Sequence, residues 1–263
     1  MKFVKEILSW ILITAYLIVV LGFVSEERKN IPCISVHVQI IDRTNNYFVE
    51  EDDIITAIYD KGEKMLGYPI DSINLARLEA LIYNHPSIKR AEVYADIHGD
   101  LNIDIIQRNP ILRIINYNKE SYYIDEEGAL MPLSNKFTAH VLVANGKINE
   151  PYSLRYTKDI LTQTEEDELN RGEVLRDLFV LAKYIYEDEF WRAQFEQIYV
   201  NGKSFELIPR VGTHVILFGG IENYKEKLRN LKSVYQIGFK KFGWNNYSTI
   251  NLKYHNQVIC TKR

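Results

Sequence analysis

The sequence predicts an α+β protein in three parts. A single membrane-spanning helix comes first, then a compact unit ordered β-α-α-β-β, then a larger mixed β-rich unit with two helices. Three observations carry this reading. An uncharged run covers residues 7–24. Apolar positions then alternate between period 2 and period 3.6 over roughly the next 75 residues, as strands and helices require. Beyond that, short alternating segments separated by turn residues dominate. The chain of 263 residues is 46% hydrophobic with a net charge of −3, so it can bury real cores and carries no basic footprint for nucleic acid. Two cysteines, Cys33 and Cys260, are too few for a disulfide framework or a zinc site.

The run ILSWILITAYLIVVLGFV would extend about 27 Å as a helix, near the ~30 Å hydrocarbon thickness of a bilayer. Trp10 suits the interfacial belt. The exit at residues 21–26 lacks the small-x-small pattern of a cleaved signal peptide, so the sequence predicts a retained anchor. Lys2 and Lys5 precede it, and Arg28 and Lys29 follow it, a near balance of positive charge. A tail of residues 1–6 is too short to be a domain, which places the body of the protein on the far side. Residues 25–33 form a polar linker containing Pro32.

The first folded unit is expected over residues 34–109. Val36, Val38 and Ile40 alternate with Ser35, His37 and Gln39 as in a half-buried strand, and residues 42–46 are turn-like. Glu50, Glu51, Asp52 and Asp53 open a helix carrying Ile54, Ile55 and Ile58. Acids in a first turn complement the positive helix end and fan outward instead of converging on a metal. A second helix is expected at residues 73–84, ended by His85-Pro86 because the residue before proline avoids helical geometry. Strands at 88–95 and 101–107 follow, joined through His98-Gly99-Asp100.

The second unit is expected over residues 110–263. Short strands are predicted at 111–116, 121–125, 129–131 and 140–144, with Asp125-Glu126-Glu127-Gly128 as a plain turn between the second and third. Residues 165–195 contain a helix with Leu175, Leu178, Phe179, Ala182, Ile185 and Tyr186 on its apolar face. Strands at 198–200 and 205–207 flank Asn201-Gly202, a strong hairpin signal. A strand at 215–218, a helix near 222–234, and a hairpin of residues 247–254 and 257–261 across His255-Asn256 complete the unit.

Catalytic motifs are missing from the sequence. The six histidines show no i, i+4 pairing, and there is no His-Glu-x-x-His, Gly-x-Ser-x-Gly, phosphate-binding glycine loop or Cys-x-x-Cys. The reading is therefore non-enzymatic, with no catalytic, metal or cofactor residues, and with both thiols unpaired. The final hairpin is the most suggestive binding surface. Thr249, Asn251 and Lys253 lie on one face, Ile250, Leu252 and Tyr254 on the other, and Gln257, Val258 and Ile259 lead the next strand. Either strand, at a sheet edge, could accept a strand from a partner. The alternative is that these strands merely end the sheet, guarded by Lys253, Lys262 and Arg263.

The stretch HPSIKRAEVYADIHGDLNIDIIQRNPILRI, residues 85–114, carries Pro86, Ile88, Ala91, Val93, Leu101, Ile103, Arg108 and Pro110. YYIDEEGALMPLS, residues 122–134, carries Ile124, Asp125, Gly128 and Met131. Together they resemble the signature of the FtsQ/DivIB family of bacterial division proteins, with a POTRA domain ahead of the family's β domain. Ser87 stands where that signature has an aromatic, and Gln107 where it has Glu. The resemblance implies a non-enzymatic bitopic scaffold of the divisome. It would link early and late division proteins at the septum by binding FtsB- and FtsL-like coiled-coil partners, with other divisome components of septal peptidoglycan synthesis nearby. It further implies a single-pass type II protein of the bacterial inner membrane, held in the lipid bilayer by its anchor, with periplasmic domains. An envelope protein that uses its POTRA domain for substrate handling or outer-membrane assembly is the alternative reading.

Overall fold

The computed structural model describes residues 10–20, 31–41, 46–152 and 173–263. The expected tail, most of the linker, the turn over residues 42–45 and the start of the helix expected from residue 165 lie outside them. Residues 10–20 form a helix, α1. Residues 7–9 and 21–24 of the expected span are outside the described residues. Among the described residues no helix is long and apolar enough to cross a membrane. The predicted membrane-spanning helix is thus corrected, and with it the single-pass inner-membrane placement. The observed fold is a mixed α+β one with a large sheet.

The chain divides into two compact units, Met1–Gln107 and Arg108–Arg263. In the first, β1 (Ser35–Ile41), β2 (Ile88–Ala95) and β3 (Asp100–Gln107) form a sheet of order β1-β3-β2, with β1 parallel and β2 antiparallel to β3. Helices α2 (Glu51–Asp60) and α3 (Leu75–Tyr83) complete the unit. The central strand explains the order, because Leu101, Ile103 and Ile105 are all fully buried. Each contributes roughly 1.5–3 kcal/mol relative to exposure. The acidic run starts α2 through Asp53, whose carboxylate accepts from the Glu50 N–H at 2.9 Å. Asn74 caps α3 by accepting from the Arg77 N–H at 3.0 Å, so this helix starts two residues later than its apolar pattern suggests.

Gln107 explains one departure from the family signature. Its Oε1 accepts from the N–H groups of Phe48 and Val49 at 3.1 and 3.2 Å, while its Nε2 donates to the Val49 carbonyl at 3.3 Å. A carboxylate could only accept, so the amide suits a site that asks for both.

Among the described residues of the second unit nine strands run in the order β12-β11-β10-β9-β8-β7-β4-β5-β6. Their ranges are β4 Pro110–Ile115, β5 Ser121–Asp125, β6 Leu130–Met131, β7 Leu142–Gly146, β8 Phe195–Asn201, β9 Ser204–Pro209, β10 Val215–Gly219, β11 Tyr247–Asn251 and β12 Ile259–Lys262. The sheet is mixed: β7 runs parallel to both β4 and β8, and β11 runs parallel to β10. Helices α4 (Glu173–Glu187), α5 (Glu189–Gln194), α6 (Tyr224–Ser233) and α7 (Phe239–Phe242) join it. Leu178, Leu181 and Ala182 of α4 and Leu228 and Leu231 of α6 share one apolar core with Ile198, Leu207, Ile216 and Ile250 of the sheet.

The unit therefore holds more than the two helices expected. Asp188 breaks the first by accepting from the Phe190 and Trp191 N–H groups at 2.9 and 3.2 Å, which restarts the chain as α5. The second continues through a π-helical turn, Val234–Gly238, into α7. The β8–β9 hairpin also turns one residue later than expected. Asn201 pairs with Ser204, so Gly202 and Lys203 make the turn and Gly202 takes the positive φ of 65°.

Candidate functional site

Residues 247–263 are held from below by aromatic packing. Tyr235 and Phe239, four apart in the helical segment after α6, meet Trp244 at ring separations of 5.2 and 4.9 Å, and Tyr247 stacks on Phe239 at 5.8 Å. His214, just before β10, is buried in this cluster with Nε2 2.8 Å from the Tyr235 hydroxyl. Burial, aided by the nearby Arg263 charge, pushes its pKa down to about 4. Burial raises the Tyr235 hydroxyl in turn. His214 is thus a neutral core residue at physiological pH.

On this base, β11 is paired on both sides, parallel with β10 and antiparallel with β12. Thr249, Ile250 and Asn251 therefore lie inside the sheet. The strand ends at Asn251, whose side chain accepts from the Lys253 N–H at 3.0 Å and turns the chain. Leu252 is buried and donates its N–H to the Leu217 carbonyl at 2.9 Å. Lys253, Tyr254 and Gln257 stand exposed in the connecting loop, with Val258 half-buried. A cavity of about 130 Å³ beside this loop is lined by Glu222, Glu226, Lys227, Tyr254 and His255 among others.

β12 is the outermost strand. Among the described residues it pairs with β11 and with no other strand, so its outer row of N–H and C=O groups has no strand partner. Ile259 is 45% exposed, Thr261 and Lys262 are exposed, and Cys260 is half-buried. A register shift lies between Tyr247 and Thr249 of β11, and the Ser248 hydroxyl donates to the Thr261 carbonyl at 3.3 Å. Arg263 fastens the end of the strand. Its N–H donates to the Asn246 carbonyl at 3.2 Å, and its guanidinium donates to the Thr213 carbonyl at 2.8 Å and to the Thr213 hydroxyl. Sequence reasoning took Arg263 only as a guard against aggregation and missed both this anchor and His214. The Tyr235–Phe239 spacing was the one signal of the cluster available beforehand.

The signature residues gather elsewhere and do structural work. Arg108 donates to Asp125 at 2.8 Å, with the Asp125 side chain 1% exposed. The other carboxylate oxygen accepts from the Glu127 and Ala129 N–H groups at 2.9 and 2.7 Å, closing the turn in which Gly128 has φ 89°. Burial raises the Asp125 pKa, and Arg108 opposes that shift. Pro110 starts β4 opposite Asp125. In the first unit Ala91 and Val93 are buried on β2, and Pro86 lies in the bend before it. Cys33 and Cys260 are free thiols, both raised in pKa chiefly by burial.

Comparison with known proteins agrees with this division of the chain. A family model described as FtsQ/DivIB, C-terminal related, matches residues 109–261, and a POTRA-like domain model matches residues 31–106. No curated protein matches the chain.

Proposed function

Because the chain belongs to the FtsQ/DivIB C-terminal-related family, whose members are non-enzymatic scaffolds of cell division, we propose that it holds FtsB- and FtsL-like division proteins by adding a partner strand to β12. One observation supports this most directly. β12 is the only one of the two expected terminal strands with an unpaired side among the described residues, and three of its four residues are exposed. Strand addition draws affinity from main-chain hydrogen bonds and register from alternate side chains, so it requires no residue motif at the edge. Through such contacts the protein would join early and late components of the divisome.

Adjacent residues in a strand direct their N–H groups to opposite sides. Cys260→Pro and Thr261→Pro therefore form a matched pair, since one removes an outward donor and the other a donor to β11. Co-purification of division proteins from cells carrying each variant is the test, with filamentation on depletion as the companion readout. The proline that spares the β11 ladder is expected to abolish capture at unchanged thermal stability. Full capture by both variants, or normal division on depletion, would overturn the proposal.

A further inference from the structure

A second surface of the same unit lies five strand spacings from β12, about 24 Å at ~4.8 Å each. There, where β4, β7 and β8 approach the end of α4, a cavity of about 300 Å³ opens. Its apolar wall includes Ile111, Ala182, Ile185 and Phe195, and its rim carries Arg113, Arg192 and Arg210. Arg192 and Arg210 are exposed and Arg113 is half-buried. None of the three is paired with a carboxylate among the described residues. Arg113 spends its Nε on the Ser121 hydroxyl at 3.0 Å and lies over the Tyr123 ring, while Arg192 lies over the Tyr186 ring at 5.4 Å. A protein of net charge −3 thus places three guanidinium groups, none with a carboxylate partner among the described residues, around one apolar hollow, with Glu196 the sole acid among the lining residues.

The backbone supplies an independent clue. Thr138, Ala139 and His140 also line the cavity and precede β7. Among the described residues their main-chain groups take part in no strand ladder and no main-chain hydrogen bond. Peptide groups without a main-chain partner among the described residues, set beside an apolar hollow, suit a ligand that itself carries peptide groups. Guanidinium forks suit carboxylates. The volume holds a large side chain and not a folded surface.

The geometry points to a docking site for an acidic peptide segment of a partner protein, with one or two apolar side chains seated in the cavity and flanking carboxylates on Arg113, Arg192 and Arg210. Glu196 is available to accept an N–H of the same segment. The site is separate from the β12 edge, so one partner chain can engage each without competition.

The test uses the full chain and a short fluorescein-labelled peptide, Glu-Glu-Leu-Phe-Glu-Glu, in an anisotropy titration. A second peptide carries Ser-Ser in place of Leu-Phe. The combined variant Arg113→Gln, Arg192→Gln and Arg210→Gln is expected to weaken binding of the first peptide by about tenfold or more, since each lost charge pair contributes a modest share. Its thermal unfolding is checked alongside. Because Arg113 is half-buried, the exposed pair Arg192→Gln and Arg210→Gln serves as a second variant and is expected to lose affinity at unchanged stability. The Ser-Ser peptide is expected to bind more weakly than the first. Equal binding of both peptides, undiminished affinity in the exposed-pair variant, or displacement by inorganic phosphate as effectively as by unlabelled peptide would each overturn the proposal. The last result would indicate a simple anion site.

Discussion

The nine-stranded sheet ends in two contrasting ways. At one end β6 is two residues long, Leu130 and Met131 are both buried, and the turn leading into it is closed by Asp125 and Arg108. At the other, β12 is four residues long with only Cys260 half-buried, and it is fastened through Arg263 at its tip. A short, covered strand offers little backbone to a visiting chain, whereas an exposed one offers a row of donors and acceptors. The part of the family signature that lies in this unit, Arg108, Pro110, Asp125 and Gly128, sits toward the closed end. The proposed binding surface sits at the open end, where recognition through main-chain groups places little demand on side-chain identity.

This contrast can be broken deliberately. The largest effect is expected from Arg108→Ala, which leaves the Asp125 carboxylate buried without its charge partner. A loss of about 3 kcal/mol by denaturant unfolding is expected, with partner capture retained in the folded fraction. Next comes acidification, which acts beneath the open end. The folded pKa of His214, about 4, lies below its unfolded value near 6.5, so the unfolded chain binds the proton first. The contribution is complete above about pH 6.5 and is lost as pH falls toward 4, on the order of 3 kcal/mol in all. His214→Gln should flatten that acid limb. A limb unchanged by the substitution would show that another group carries it.

Smaller effects are expected at β12 itself. The proline that interrupts the β11 ladder should cost about 1 kcal/mol, and its neighbour much less, so that stability and capture separate. Smallest is Arg263→Ala, which removes exposed hydrogen bonds to Thr213 and should cost about 0.5 kcal/mol. Hydrogen exchange should then rise in residues 259–262 while β6 stays protected. Equal exchange at both ends would erase the distinction.

Much of the molecule was legible in advance. The alternation in Leu101, Ile103 and Ile105 marks a buried central strand, because a one-residue slip would turn all three outward. The apolar face of α4 was readable over Leu175, Leu178, Phe179, Ala182 and Ile185 for the same kind of reason. Other features rest on local hydrogen bonds and strand register that no periodicity records. The carboxylate of Asp188 splits one expected helix in two, and the hairpin turn falls on Gly202 and Lys203 although Asn201-Gly202 is the stronger local signal. The membrane-spanning reading of residues 7–24 relied on hydropathy and length, and among the described residues no helix is long and apolar enough to cross a membrane.

Local chemistry, then, specifies strands, helices and the Arg108–Asp125 signature, because periodicity, caps and turns act over a few residues. Sheet order depends on partners far apart in the chain. The pattern at residues 247–262 is the same whether a strand is central or outermost, since both bury one face. Only the assembled sheet puts β11 inside and β12 outside, and only folding brings Arg113, Arg192 and Arg210 around one cavity.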